Sequence, residues 1–128
     1  VRELRSLGDW LVWKAVRARS LDELHRAVDV LADDVDGFLV EGWRQGVVGG
    51  GGVRVALEPA AVRGAIPSEV DFILAGGLEP ATVAETMARF SPDVVDVSSG
   101  VERQPGRKDH GLVQAFVREA LGASTPDP

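Results

Sequence analysis

Small residues follow two apolar segments of the sequence in the same arrangement. "FILAGGLE" at residues 72–79 and "DVVDVSSGVE" at residues 93–102 each pass from aliphatic residues through small ones to a glycine, an aliphatic residue and a glutamate. Backbone N–H groups can approach a phosphate closely where little or no side chain intervenes. The paired segments therefore predict a phosphate site, although any strand-to-helix turn favours Gly and Ser. The candidate residues are Gly76, Gly77, Ser99 and Gly100.

Four apolar segments rich in β-branched residues predict the strands that would position these loops. They lie at residues 10–18, 36–40, 70–75 and 93–97. Such strands, alternating with helices, indicate right-handed βαβ units and a parallel sheet. Four units form either a small open sheet or half of an eight-fold barrel. No GxGxxG segment follows a strand, which counts against a dinucleotide-binding sheet.

Helix start and stop residues predict the elements between the strands. Ser20 and Glu23 have the spacing of a capping box, and Pro80 is suited to a first helical position. Asp109 can cap the last helix, and Gly122 can end it. A short helix is expected near residues 58–64, and a helical tail at residues 1–7.

Composition narrows the function classes. The 128 residues are 45% hydrophobic and 27% charged, as in an ordinary globular domain. A net charge of −6 argues against a nucleic-acid partner, and no apolar run reaches the roughly 20 residues needed to cross a membrane. The absence of cysteine excludes disulfides in this chain and fits a cytoplasmic location. His25 and His110 are far apart, so no metal site is expected.

The sequences of the paired segments resemble motifs of the phosphoribosylanthranilate isomerase family of tryptophan biosynthesis. "VVDVSSGVERQPGRKD", residues 94–109, matches the family pattern V-D-V-S-S-G-V-E-x-x-P-G-x-K-D at every fixed position from Val95 onward. "LAGGLEPATVAE", residues 74–85, matches L-A-G-G-L-x-P-x-N-V except at Thr82, where Asn is usual. Weaker likeness extends back to about Trp10. The resemblance implies the C-terminal half, strands five to eight, of a TIM (β/α)8 barrel with helices on the outside.

The resemblance also implies a reaction and roles for two acidic residues. The family carries out an Amadori rearrangement of N-(5-phosphoribosyl)anthranilate without a cofactor. The family's general acid, an Asp at the end of strand six, corresponds to Glu41; a solvated loop carboxylate is the alternative. Asp96 would belong to the substrate site and orient ribose hydroxyls. Its alternative is a buried carboxylate held by hydrogen bonds.

Other family residues cannot come from this chain. The general base is a Cys on strand one, and an Arg from the first half helps to hold the anthranilate carboxylate. Gly51 and Ala56 replace a Thr and an Asp of the family's sixth loop. Because the base is absent, the isolated chain is expected to be inactive. Because Gly51 replaces the Thr, "GGGG" at residues 49–52 resembles the family's glycine loop only in part.

Other functions and partners follow from the same reading. Another phosphosugar barrel, such as indole-glycerol-phosphate synthase or a histidine-pathway isomerase, shares the phosphate site but not the last motif. A non-catalytic half-barrel that binds a phosphorylated ligand or a partner is the second alternative. Open strand edges at 11–17 and 93–97 predict pairing with the missing half or self-association. The domain boundaries expected are the end of a preceding helix at 1–9, a half-barrel at 10–122 and a disordered tail at 123–128.

Overall fold

Helices and strands alternate along the chain. A computed structural model describes residues 1–41 and 57–123. The predicted glycine loop, the replacements at Gly51 and Ala56, and residues 124–128 lie outside these ranges. The helices are α1 (Arg2–Ser6), α2 (Leu21–Leu31), α3 (Pro59–Ala65), α4 (Val83–Phe90) and α5 (His110–Ala123). The strands are β1 (Trp13–Arg17), β2 (Gly37–Glu41), β3 (Asp71–Ala75), β4 (Val94–Asp96), β5 (Glu102–Gln104) and β6 (Arg107–Lys108), with a 3-10 turn at Ser99–Val101.

The first four strands form one parallel sheet in the order β1-β2-β3-β4. The predicted parallel α/β fold is confirmed, and β1 and β4 are the edges of the described sheet. β5 and β6 form a separate antiparallel hairpin, which the sequence reading missed. No helix in the described ranges is long and apolar enough to cross a membrane.

Local hydrogen bonds explain where the helices begin. The Ser20 hydroxyl accepts from the N–H of Glu23 (3.2 Å), as the capping box predicts. Asp109 accepts from the N–H of Leu112 (3.0 Å) and begins α5. The prediction that Pro80 is the first residue of a helix is wrong. Thr82 has φ −122°, well outside the helical range, so regular α4 begins after it.

One face of the sheet packs against the helices. Alternate strand residues, including Phe38, Phe72 and Leu74, are fully buried with Leu24 of α2 and Phe90 of α4. Burying each large apolar side chain contributes roughly 1.5–3 kcal/mol. This cluster fixes the sheet on its helical layer and therefore fixes the positions of the strand ends.

A second apolar cluster attaches the last strand and its loop to α4 and α5. Leu78, Val83, Val101 and Phe116 are buried together, and Val95 and Val97 pack against them. Because successive residues of a strand point to opposite faces, Asp96 points away from the helices.

Two aspartates join neighbouring strands at the amino end of the sheet, opposite the predicted site. Asp36, just before β2, accepts from the N–H of Val12 (2.7 Å) and from Arg5 (2.7 Å). Asp93, just before β4, accepts from the N–H of Phe72 (2.8 Å). The hydrogen bond from Val12 lowers the pKa of Asp36, and Arg5 lowers it further against the opposing effect of burial. These carboxylates stabilise the sheet at its amino ends.

Candidate functional site

The predicted site residues lie at the carboxyl ends of adjacent strands. Glu41 is the last residue of β2, Ala75 of β3 and Asp96 of β4. The two loops that contain the candidate phosphate-binding residues follow β3 and β4 directly. In a parallel sheet all strands have their carboxyl ends on the same side, so the fold brings all six predicted residues to that end of the sheet. They are Glu41, Gly76, Gly77, Asp96, Ser99 and Gly100.

Two consecutive glycines form the loop after β3. Gly76 has φ 91° and Gly77 has φ 70°. Residues with a Cβ rarely adopt this left-handed region, so the backbone path itself requires glycine. Both residues are exposed at the surface. The loop therefore presents main-chain groups, and no side chain, to the space above the strand ends.

The loop after β4 contacts the loop after β3 at Gly100. A Cβ on Gly100 would overlap the carbonyl oxygen of Leu78. Leu78 and Val101 are buried on either side of this contact and fix the two loops to the helical layer. Gly100 is thus required for close approach of two backbones, and the matching loops form one surface.

The exposed backbone of this surface retains hydrogen-bonding capacity. Across residues 1–41 and 57–123, no hydrogen bond involves the N–H groups of Gly77, Ser99 or Gly100. N–H groups that lack an internal acceptor can bind an anion. A phosphate held by several such groups would need no basic side chain.

A lysine and a glutamate brace the loop after β4. Lys108 Nζ donates to the carbonyl oxygen of Ser98 (2.8 Å) and to Glu102 Oε1 (2.8 Å). The hydrogen bond from Lys108 lowers the pKa of Glu102, and a bond from the N–H of Gly106 acts in the same direction. Sequence analysis did not identify Glu102. Its signal is the Pro-Gly turn that closes the hairpin and brings Glu102 opposite Lys108.

Glu41 has a basic partner on the neighbouring strand. Arg17, level with Glu41 at the end of β1, donates to Glu41 Oε2 at 3.2 Å. Arg17 is largely exposed, with 82% of its side-chain surface accessible, against 35% for Glu41. Glu41 therefore ends a strand and takes part in an ion pair, rather than standing alone in a loop.

The Asp96 side chain is exposed, and within the described ranges it makes no hydrogen bond or ion pair. The alternative of a buried carboxylate held by hydrogen bonds is therefore wrong. The physical reason is its position near the end of an edge strand, on the face without helices. Asp96 is available for a ligand, as a substrate-binding residue must be. No cluster of metal-ligating side chains occurs in the part of the chain that the structure describes.

Comparison with known proteins identifies relatives across most of the chain. Residues 5–119 match the family described as N-(5'-phosphoribosyl)anthranilate (PRA) isomerase. A protein of this name from Hyphomonas neptunium is 38% identical over 125 residues, covering 97% of this chain and 58% of the relative. One from Halobacterium salinarum is 44% identical over 99 residues, or 76% of this chain and 44% of the relative. The chain thus spans about half the length of these relatives.

Solved structures of the same enzyme share the fold. Mutually generated monomers of the dimeric enzyme from Thermotoga maritima match with a TM-score of 0.71 and 28% identity, over 94% of this chain and 54% of theirs. The enzyme in complex with reduced 1-(o-carboxyphenylamino)-1-deoxyribulose 5-phosphate matches with a TM-score of 0.69 and 28% identity, over 94% of this chain and 53% of the other. That enzyme binds a phosphorylated analogue.

Proposed function

The chain belongs to the phosphoribosylanthranilate isomerase family, and on this premise we propose that it forms strands five to eight of a TIM (β/α)8 barrel. Within the barrel it would bind the phosphate and ribose of N-(5-phosphoribosyl)anthranilate and supply the general acid of the Amadori rearrangement. A single observation carries the proposal. Glu41, Asp96 and the loops after β3 and β4 all lie at the carboxyl end of the parallel sheet. A cytoplasmic location stays a prediction from composition.

The phosphate would be held by the loops after β3 and β4. Gly76 and Gly77 have a backbone conformation that favours glycine, and Gly100 packs directly against the Leu78 carbonyl. The N–H groups of Gly77, Ser99 and Gly100 then supply the hydrogen bonds. Fixed donors of this kind bind the phosphate equally in substrate and transition state and keep the ribose in place.

Glu41 would act on the ribose ring. Its carboxyl group protonates the ring oxygen while the C1–O bond breaks and the anthranilate nitrogen forms a double bond to C1. A base then removes the proton from C2, and the resulting enamine tautomerises to the 1-amino-1-deoxyribulose phosphate. Asp96, exposed on the same face, would accept hydrogen bonds from ribose hydroxyls.

The base has no candidate in this chain, which contains no cysteine. In the proposal, the first half of the barrel provides that base and the Arg that holds the anthranilate carboxylate. Glu41 is one methylene longer than the family Asp, and a misplacement of about 1 Å can cost roughly 100-fold in rate. Arg17, which contacts Glu41 from β1, restricts where the longer side chain can lie.

Both edges of the half-barrel offer apolar surface to the missing partner. Trp10 and Leu11 precede β1 and are exposed at 57% and 74%. On α5, which packs beside β4, Val113 and Val117 are exposed one helical turn apart. Apolar side chains beside an unpaired strand edge are typical of a surface that another chain covers. The proposed partner is the first half of the barrel or, in its absence, a second copy.

Complementation tests the proposed function. The chain would be fused to the first half of the Thermotoga maritima enzyme, and isomerase turnover measured beside that of the isolated chain. We expect turnover only in the fusion, and a large loss when Glu41 is replaced by Gln. A folded fusion that binds inorganic phosphate without turnover would favour the alternative of a non-catalytic half-barrel. Two features support that alternative: Glu41 stands where the family has Asp, and this chain contains no cysteine to act as the base.

A further inference from the structure

We propose that Lys108 is a positioning residue, which holds the loop after β4 so that its N–H groups face the phosphate. This inference rests on the phosphate site proposed above and extends it to two side chains, Lys108 and Glu102, that do not line that site. Lys108 lies on β6, outside the parallel sheet. It reaches back to the loop through its ammonium group.

The contacts of Lys108 leave its ammonium group no donor for a ligand. Nζ donates to Ser98 O (2.8 Å), to Glu102 Oε1 (2.8 Å) and, more weakly, to Ser98 Oγ (3.4 Å). An ammonium group has three donors, and all three are directed at the protein. Its charge is also balanced by Glu102, only 15% of whose side chain is exposed. Lys108 therefore acts on the phosphate through the loop.

The loop needs this support because its own hydrogen bonds are weak. Ser98 has φ −126° and ψ −83°, outside the regular regions. Its carbonyl oxygen accepts from the N–H of Val101 at the long distance of 3.4 Å. The bond from Lys108 to the same oxygen is shorter by more than half an ångström. Without it, the Ser98 carbonyl, at the start of the turn that carries the N–H groups of Ser99 and Gly100, would keep the weaker contact.

We call Lys108 with its two partners, Ser98 and Glu102, the clamp. Further hydrogen bonds fix the clamp at both ends. Glu102 Oε2 accepts from the N–H of Gly106 (3.3 Å), which closes the hairpin around Lys108. The next residue, Asp109, donates its N–H to the carbonyl of Val101 (2.8 Å) and caps α5. The loop, the hairpin and the start of α5 thus form one hydrogen-bonded unit.

A phosphate titration of three variants of the full chain tests the inference. Inorganic phosphate is the probe, and the amide resonances of Ser99 and Gly100 report binding. We expect Lys108→Met to weaken binding roughly tenfold, which corresponds to about 1.4 kcal/mol. Lys108→Arg should restore part of the affinity. Arg107→Met is the matched control, because the Arg107 side chain is exposed and makes no hydrogen bond or ion pair within residues 1–41 and 57–123.

Amide hydrogen exchange separates positioning from a general loss of stability. In Lys108→Met, exchange at Ser99, Gly100 and Val101 should accelerate without phosphate, while exchange in β2 and β3 stays unchanged. The inference would be contradicted if these amides exchanged as slowly in Lys108→Met as in the wild type. It would also be contradicted if exchange accelerated in β2 and β3 as much as in the loop.

Glu102→Gln distinguishes a clamp from direct phosphate binding and also serves if Lys108→Met fails to fold. A clamp that has lost its carboxylate holds the loop less well, so phosphate should bind more weakly. A lysine that contacts phosphate directly would instead bind it more tightly once its carboxylate partner is neutral. Unchanged affinity in both Lys108→Met and Glu102→Gln overturns the inference and leaves the phosphate site standing. No amide shift in the wild-type chain overturns both.

Discussion

Glu41 and Asp96 lie level with each other on one face of the sheet, with a single strand between them. Val40 of β2 pairs with Leu74 of β3, and Ala75 pairs with Asp96 of β4, so Glu41, Ala75 and Asp96 occupy one row. Two strand spacings separate the acidic residues by roughly 10 Å. Ala75 offers only a methyl group between them. Both carboxylates therefore lie at the carboxyl end of the same row, one on each side of Ala75.

Replacing Glu41 by Gln in a completed barrel should lower turnover about 100-fold and change KM much less. General acid catalysis contributes typically 10²–10⁴-fold, and a group that acts mainly in the transition state affects kcat more than binding. Steady-state kinetics with N-(5-phosphoribosyl)anthranilate would measure both. Glu41→Asp, the family residue, should retain turnover.

Glu69→Gln is the matched control for this substitution. Glu69 is exposed and lies before β3, at the opposite edge of the sheet. It should leave kcat and KM unchanged. If Glu41→Gln turns over as fast as the control, another residue is the acid, and the role given to Glu41 is wrong.

A β-branched residue at Gly77 or Gly100 should abolish phosphate binding. Gly77 has φ 70°, where valine is strained, and any Cβ at Gly100 meets the Leu78 carbonyl. Either change displaces the N–H groups that are proposed to bind the anion. Calorimetric titration with inorganic phosphate would measure the loss, and unaltered affinity in both Gly77→Val and Gly100→Val would exclude the site.

Gly64→Ala provides the comparison for glycine substitution as such. Gly64 lies in α3, and a Cβ there would meet no atom within 4 Å. Alanine is favoured over glycine inside a helix by about 0.5–1 kcal/mol. The variant should therefore bind phosphate like the wild type and should be slightly more stable in urea unfolding.

The stability of the chain should fall as the pH is lowered through about 4 and below. Hydrogen bonds hold the pKa of Asp36 and Glu102 below their ordinary values in the folded chain. Their stabilising contribution is complete above the unfolded pKa, about 4, and is lost as the pH falls through the lower folded pKa. Urea midpoints between pH 7 and pH 2 would show the decline.

Asp36→Asn identifies the part of this decline that belongs to Asp36. The amide cannot ionise, so the variant should be less stable than the wild type at pH 7 and should approach it at low pH. Asp29→Asn is the control, because the Asp29 side chain is exposed on α2 and makes no hydrogen bond or ion pair within the described ranges. Parallel pH profiles for the wild type and Asp36→Asn would contradict the role of Asp36.

Local sequence patterns were sufficient for the four strands of the parallel sheet and for the caps at Ser20 and Asp109, but not for the β5–β6 hairpin. Apolar segments rich in β-branched residues and the Ser20–Glu23 spacing are local features, so they can be read directly from the sequence. The contacts that complete the candidate site are between different segments. The Arg17–Glu41 pair joins β1 to β2, and Gly100 meets Leu78 across two loops. Such contacts depend on strand order and register, which a single sequence states only indirectly.

The isolated chain should be a dimer or an aggregate and not a stable monomer. β1 and β4 are edges of the described sheet and expose unpaired N–H and C=O groups. In a second copy, β4 could pair with β1 of the first and β1 with β4, and a two-fold axis would close an eight-stranded ring. Trp10, Leu11, Val113 and Val117, exposed beside these edges, would be covered in that ring. Sedimentation at micromolar concentration would measure the mass.

Asp substitutions at the two edges would show whether those surfaces carry the association. Leu11→Asp and Val117→Asp place a charge where the second copy is expected, so each should shift the mass toward the monomer. Val30→Asp is the control, because Val30 is 75% exposed on α2, the helix between β1 and β2, and belongs to neither edge strand. A wild-type chain that sediments as a monomer and melts cooperatively, with no dependence on concentration, would show that the four strands are stable with their edges open.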